Sequence, residues 1–197
     1  MADIDSESAR PTPRKRADAP RNEATLLDAA ASAGRDSLLI MGDWELRPAS
    51  TADVEAVAEL RAVALRADLE RLGRYDEQRV RQRLRDGFAP AYTWVVEVDG
   101  TFAGCVALRP AAEAHWLEHF YLAPRLQGSG IGTAVLRELL DRCDRLGTPV
   151  RLNVLRGSPA RRLYERHGFT VDTEDAVDVF MVRAPGTITA ETRNASM

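Results

Sequence analysis

The sequence predicts an α/β domain built on a mixed, mostly antiparallel central sheet of about seven strands flanked by about four helices. Three observations carry that prediction. Segments of period two and of period 3.6 follow one another in the order β α α β β β α β α β β. All twelve aromatic residues of the 197 lie between Trp44 and Phe180, so the ends of the chain contribute little to a core. Finally, alternating glycines at 128, 130 and 132 stand between a strand-like run and a helix-like run.

Trp44 to Arg47 reads as a short strand ended by Pro48. Ser50 or Thr51 caps a helix reaching about Leu72, with Val54, Val57, Leu60, Val63 and Leu65 near helical spacing. Asp76 to Phe88 gives a second helix, on which Val80, Leu84 and Phe88 form a stripe. The period then changes to two. Tyr92, Trp94, Val96 and Val98 alternate, Asp99-Gly100 signals a tight hairpin, and Phe102 to Leu108 returns as its partner. Trp116 to Leu122 is a third strand of this group, stopped by Pro124. A long helix follows from about Ser129 to Leu146, with Gly147 as its C-terminal cap. Val150 to Leu155 is a buried strand, and Ser158 caps a helix to Arg166 that Gly168 closes. Strands at Phe169 to Thr173 and Val177 to Arg183 finish the domain.

Residues 44–183 are therefore expected to form the folded domain. Residues 1–43 are expected to be a largely disordered extension, because prolines at 11, 13 and 20 and a polar composition leave little apolar surface to bury. A short helix over 22–40, capped by Asn22, is the one element expected there, and Met41 is a candidate translation start. Residues 184–197 read as a tail.

Composition excludes several function classes. No apolar run reaches the roughly 20 residues of a membrane helix, and the acidic start Asp3, Asp5, Glu7 does not resemble a secretory signal, so a cytoplasmic protein with no membrane partner is expected. Between residues 44 and 183 there are 20 Arg against 21 Asp and Glu, which is no basic field for nucleic acid. Cys105 and Cys143 lack the spacing of a metal site or disulfide framework and read as small buried apolar residues. His115 and His167 have no ligand partners at fixed spacing, so no metal is expected.

The densest chemical signal is the stretch from Leu122 to Thr133, with Gln127, Gly128, Ser129, Gly130, Ile131 and Gly132 between strand and helix. Small residues there let backbone N–H groups converge on an anion at the positive end of a helix. No Lys-Ser/Thr pair follows, as a P-loop requires, and the spacing is not GxGxxG. A plain tight turn would account for one or two of the glycines, but not for three at alternating positions.

This stretch, preceded by Phe120-Tyr121-Leu122, resembles the acyl-CoA motif of the GCN5-related N-acetyltransferase (GNAT) superfamily. The later run from Ser158 through Leu163, Tyr164, Glu165 and Gly168 to Phe169 is similar to a second block of the same family. The element order is also the family's. The resemblance implies acetyl-CoA as cosubstrate, with its pyrophosphate on the amides of Gly128 to Gly132 and the neighbouring Gln127 and Thr133. Its pantetheine would pair with main-chain groups of Phe120, Tyr121 and Leu122 like an added strand, between the strands Trp116–Leu122 and Val150–Leu155. Many members have Asn where this chain has Ser158, so that contact is weaker here. Asn153 on the facing strand is a further candidate contact. Dimers are common among such proteins.

The implied chemistry is attack by the amine of a small-molecule or peptide acceptor on a thioester. Presenting a lysine-like amine, pKa ~10.4, unprotonated at neutral pH costs roughly 4 to 5 kcal/mol, whereas an α-amine with pKa ~8 costs about 1. Glu118 is the candidate base, placed by strand alternation on the face of Trp116 and Phe120; its alternative role is to fix backbone or acceptor. Alternation sends His119 to the other face. Tyr164 is the candidate acid for the departing thiolate, and its alternative is an aromatic anchor beside Leu163. Arg79, Arg81, Arg83 and Arg85 on the second helix, and Asp172, Glu174, Asp175 and Asp178 near the last hairpin, read as solvated faces; the acidic group would favour a cationic amine if it faced the cleft. The rival functions are a non-catalytic acyl-CoA-binding module and a nucleotide-dependent enzyme using the same glycine loop.

Overall fold

The computed structural model describes residues 43–186, all within the unit Leu38–Met197. The helix expected over 22–40 and the two termini lie outside the described residues. The elements are β1 (Trp44–Pro48), α1 (Val54–Arg71), α2 (Glu77–Gly87), β2 (Thr93–Val98), β3 (Thr101–Pro110), β4 (His115–Leu122), α3 (Ile131–Leu146), β5 (Val150–Leu155), α4 (Ala160–Arg166), β6 (Thr170–Glu174) and β7 (Asp178–Arg183). Their order is the one the sequence predicts.

The strands form one seven-stranded sheet in the order β1-β2-β3-β4-β5-β7-β6. Every neighbouring pair is antiparallel except β4 and β5, which run parallel because α3 crosses over between them. The expected mixed, mostly antiparallel sheet is thus the one observed.

Helices cover both faces. On one face, Val135, Leu136, Leu139, Leu140 and Cys143 of α3 pack with Tyr164 and Phe169 onto Leu117, Val150, Leu152 and Met181. On the other, Val57 and Ala58 of α1 and Leu84 of α2 meet Cys105, with Phe88, Phe102 and Tyr121 packed against them. Burying each large apolar side chain contributes roughly 1.5–3 kcal/mol. The two cysteines are free, buried and on opposite faces.

The inner face of α1 differs in one respect from the expected stripe. Val63 is 55% exposed, and Ala58 and Ala62 take the places against the sheet. Small residues there let the helix lie close. The chain enters α1 through a capping box in which the Asp53 carboxylate accepts from the Ser50 N–H at 2.7 Å. Outward-facing Glu55 and Glu59 of α1 are bound by Arg85 and Arg81 of α2, at 2.7 and 2.6 Å. Two of the four alternating arginines therefore fasten α2 to α1.

Strand β4 does not alternate along its whole length. Ala107 stands opposite Glu118 and Cys105 opposite Tyr121, so two residues of β4, His119 and Phe120, oppose the single Val106. His119 takes a left-handed backbone, φ 52°, to form this bulge. The bulge returns Phe120 to the α3 face with Leu117, while Tyr121 turns to the α1 face. The predicted shared face of Glu118 and Phe120 is corrected accordingly: a bulge inverts alternation beyond it. Among the described residues, no helix is long and apolar enough to cross a membrane.

Candidate active site

The sheet opens at its centre. Strands β4 and β5 are paired only through His115↔Val150 and Trp116↔Arg151, and from Leu117 onward β4 has no ladder partner on its β5 side. Beyond the opening β5 stays in register with β7 as far as Leu155↔Asp178. A row of backbone donors and acceptors in the middle of a sheet is thereby left for another extended group. Phe120, Tyr121 and Leu122 lie on this edge.

The edge leads directly to the glycine turn. Gly128 and Gly130 have φ of 80° and 93°, a conformation that other residues adopt only with strain. Gly130 occupies the N-cap position of α3 and offers no side chain to cap it. Helix α3 consequently starts at Ile131, two residues later than the sequence suggests, and the amides of Ile131, Gly132 and Thr133 have no intrahelical carbonyl. Only a long contact from Ile131 N to Ser129 Oγ, 3.5 Å, falls on them. Such a helix start favours an anion, because these N–H groups and the helix dipole point the same way. Gln127 folds back, its side-chain amide donating to the Leu122 carbonyl at 3.2 Å. Ser129 Oγ donates to the Leu126 carbonyl at 2.6 Å. Gly132 sits close to β4: a Cβ there would lie 3.3 Å from Leu122 Cδ1, which would have to shift by a few tenths of an ångström, and 3.9 Å from the Phe120 ring.

Two phenols pack on opposite faces of the sheet beside the opening, Tyr164 with the α3 cluster and Tyr121 with the α1 cluster. Tyr164 of α4 is buried, with its ring edge-on to Phe169 at 5.8 Å. Burial raises its pKa above the ordinary tyrosine value, and Tyr121 nearby adds to that rise. Tyr121 is itself pushed up to about 12 by burial, against the opposing pull of Arg61. Arg61 NH1 donates to the Tyr121 hydroxyl at 3.3 Å, and its Nε is buried without a partner. Cys105 beneath them is likewise raised to about 12 by burial, which keeps it a thiol.

Glu118 lies on the α1 side and is gripped by Arg109 of β3, with contacts of 2.9 and 3.2 Å to its two oxygens. Both groups are partly exposed, at 30% and 42%. Asn153 donates to Asp178 at 2.9 Å, and Ser158 Oγ accepts from Ala160 N at 3.4 Å at the start of α4. The structure therefore brings Phe120, Tyr121, Leu122, Tyr164 and the glycine turn around one opening. Asn153 and Ser158 lie along β5 and the turn after it.

The acidic group near the last hairpin is engaged within the fold. Asp172 pairs with Arg151, Glu174 with Arg156, and Asp175 accepts from the amides of Val177 and Asp178. Sequence reasoning missed Arg61 and Arg109. The signal for Arg61 was present: it follows Val57 by four and Ala58 by three, so it interrupts the apolar face of α1. Arg109 is recognisable only from the β3–β4 register, which the local sequence does not state.

Comparison with known proteins agrees with this geometry. The sequence profile described as "Acetyltransferase (GNAT) family" matches residues 55–169. No curated protein sequence matches this chain. Among solved structures, the PaiA N-acetyltransferase of Thermoplasma acidophilum, in complex with coenzyme A, aligns with TM-score 0.61 and 23% identity, over 72% of this chain and 99% of that one. The ribosomal-protein-S18-alanine N-acetyltransferase of Escherichia coli aligns with TM-score 0.58 and 18% identity, over 79% of this chain and 100% of its own. N-acetylglutamate synthase of Neisseria gonorrhoeae, complexed with coenzyme A and L-arginine, aligns with TM-score 0.52 and 19% identity, over 73% of this chain and 33% of that one. These likenesses establish the fold, and the profile, which spans more than half of the sequence and includes both the opening and the glycine turn, establishes that the chain belongs to the GNAT family of acetyltransferases.

Proposed function

We propose that this protein is an N-acetyltransferase that moves the acetyl group of acetyl-CoA onto an amine acceptor by direct attack, without an acyl-enzyme. The observation that carries the proposal is the unpaired edge of β4 running into an uncapped helix start. An extended chain ending in a pyrophosphate satisfies both at once. Solved neighbours that contain coenzyme A support this choice of cosubstrate.

The amides of Gly128 and of Gly130 to Thr133 would hold the pyrophosphate, with Gln127 and Ser129, whose own amide donates to the Leu126 carbonyl, fixing the turn. The main chain of Phe120, Tyr121 and Leu122 would pair with the pantetheine, and Asn153 and Ser158 flank it. Bound acetyl-CoA supplies the thioester carbonyl that the amine attacks. Tyr164 remains protonated because burial disfavours its phenolate, so it can hydrogen-bond the departing sulfur and pass a proton to it, which the proton shed by the attacking amine restores through solvent. Glu118, with both oxygens engaged by Arg109, is better suited to orient the acceptor than to take its proton.

A CoA-release assay over small amines, amino acids and peptide N-termini, run beside an acetyl-CoA binding titration, tests the proposal. Saturable binding with release for at least one acceptor is the expected result. Binding without release from any class would favour a non-catalytic acyl-CoA module, and stronger binding of ATP or NAD than of CoA would overturn the cradle assignment.

A further inference from the structure

Arg61 is out of place in an apolar helix face. It lies on the side of α1 that carries Val57 and Ala58 against the sheet, both fully buried. A long cation there costs desolvation, which proteins usually offset with a carboxylate. Among the described residues, Arg61 has no carboxylate partner. One of its donors goes to the neutral Tyr121 hydroxyl at 3.3 Å, and the buried Nε goes to nothing. Elsewhere on α1 the arginine contacts are conventional: Arg66 pairs with Glu70, and Arg71 with Asp68.

Its surroundings tie this cation to the acetyl-transfer site. Tyr121, which receives the Arg61 bond, belongs to the open edge of β4. Glu118 lies on the same face of β4, just before the bulge that precedes Tyr121. A guanidinium with donors to spare and a carboxylate thus flank one phenol on the open strand. An amine needs the second, and a carboxylate the first.

We infer that Arg61 is the acceptor's anion anchor, and that the acceptor is a small amino acid, its amine toward Glu118 and its carboxylate on the free donors of Arg61. This rests on the acetyltransferase reading above. It also fits the chemistry, since an α-amine needs far less help from a base than a lysine-like amine, and Glu118 is already held by Arg109.

The test compares matched probes on the full chain: the proteinogenic amino acids against their primary carboxamides, with acetyl-CoA, by CoA release. At least one amino acid should exceed its amide in kcat/KM by on the order of tenfold or more, because the amide leaves the cation unpaired. Arg61→Gln should bring that ratio to about one, with acetyl-CoA affinity retained. Equal rates for acid and amide, or an unchanged ratio in Arg61→Gln, overturns the inference. Should no probe be acetylated while another amine or a peptide N-terminus is, the inference falls and the acetyltransferase reading stands; should nothing release CoA, that reading falls, and calorimetric binding of the same probes to CoA-loaded protein decides the inference separately. Tighter binding of acid than amide, lost in Arg61→Gln, supports the anchor, and equal binding or none overturns it. If Arg61→Gln does not fold, Arg61→Lys is informative: a single-point cation should keep the preference in part, and an undiminished preference would overturn the assignment.

Discussion

At the scale of single residues, the site combines groups of two kinds: backbone whose conformation matters and side chains whose proton matters. Gly128 represents the first. Its φ of 80° is unfavourable for any L side chain, yet a Cβ there would meet nothing within 4 Å. Gly128→Ala should therefore cost about 1–2 kcal/mol of loop conformation without a clash. The expected outcome is roughly tenfold weaker acetyl-CoA binding by titration, with secondary structure unchanged by circular dichroism. Tyr164 represents the second. Tyr164→Phe keeps the ring against Phe169 and removes only the hydroxyl. Turnover should fall by about 10- to 100-fold while acetyl-CoA affinity holds, and unchanged single-turnover rates would remove Tyr164 from the mechanism. Glu118→Gln should raise the acceptor KM more than it lowers kcat if the carboxylate orients the amine. A fall in kcat at constant KM, deepening with lysine-like acceptors, would return it to the role of base.

Elements show where sequence reading succeeds and where it stops. Period and punctuation located every strand and helix of the domain, and for β5 even its end residues. The Asp99-Gly100 hairpin follows from local chemistry alone: both residues have positive φ, as a two-residue turn requires. Helix α3 begins late because two left-handed glycines hold the preceding turn out of helical form, a conformational fact only half visible in composition. The bulge at His119 was not legible, because it exists only in the register of β4 against β3, and everything argued from alternation beyond Glu118 inherited that gap. The entry to α1 carries a pH consequence. Asp53 is held down to about pKa 2, first by the Arg47 hydrogen bond, with Ser50 helping. A depressed carboxylate stabilises the fold above its unfolded pKa near 3.8 and loses that contribution as pH falls through the folded value. Allowing for solvent around Arg47, the effect is worth about 1 kcal/mol. Thermal melts should drop between pH 4 and pH 2, and that drop should be shallower in Asp53→Asn, which will be less stable at neutral pH.

At the scale of the whole molecule, the remaining question is how much chain the site needs. The aromatics lie between Trp44 and Phe180, the buried core runs on to Met181, and β1 at one end pairs fully with β2, from Trp44↔Val98 to Pro48↔Trp94. At the other end contacts run past Arg183 to Gly186. Asp144 of α3 binds Arg183 through both oxygens, at 2.6 and 2.8 Å, and also accepts from Gly186 N at 2.7 Å. Arg183 in turn donates to the His167 carbonyl at 3.0 Å, so one side chain joins α3, the end of α4 and β7. Both partners are only 15% exposed, unlike the surface pairs elsewhere. We therefore propose residues 41–186 as the self-sufficient domain. A chain cut to those limits should melt within a few degrees of the full protein and bind acetyl-CoA with the same affinity. Cutting before Arg183 strands Asp144 half-buried without its cation, a loss of about 2–3 kcal/mol that should appear as a melting-point drop on the order of 5–10 °C. Asp144→Ala in the 41–186 chain should reproduce most of that drop without touching the opening between β4 and β5, so acetyl-CoA should still bind at low temperature. If the 41–186 chain fails to fold or loses acetyl-CoA binding, residues before 41 or after 186 belong to the domain.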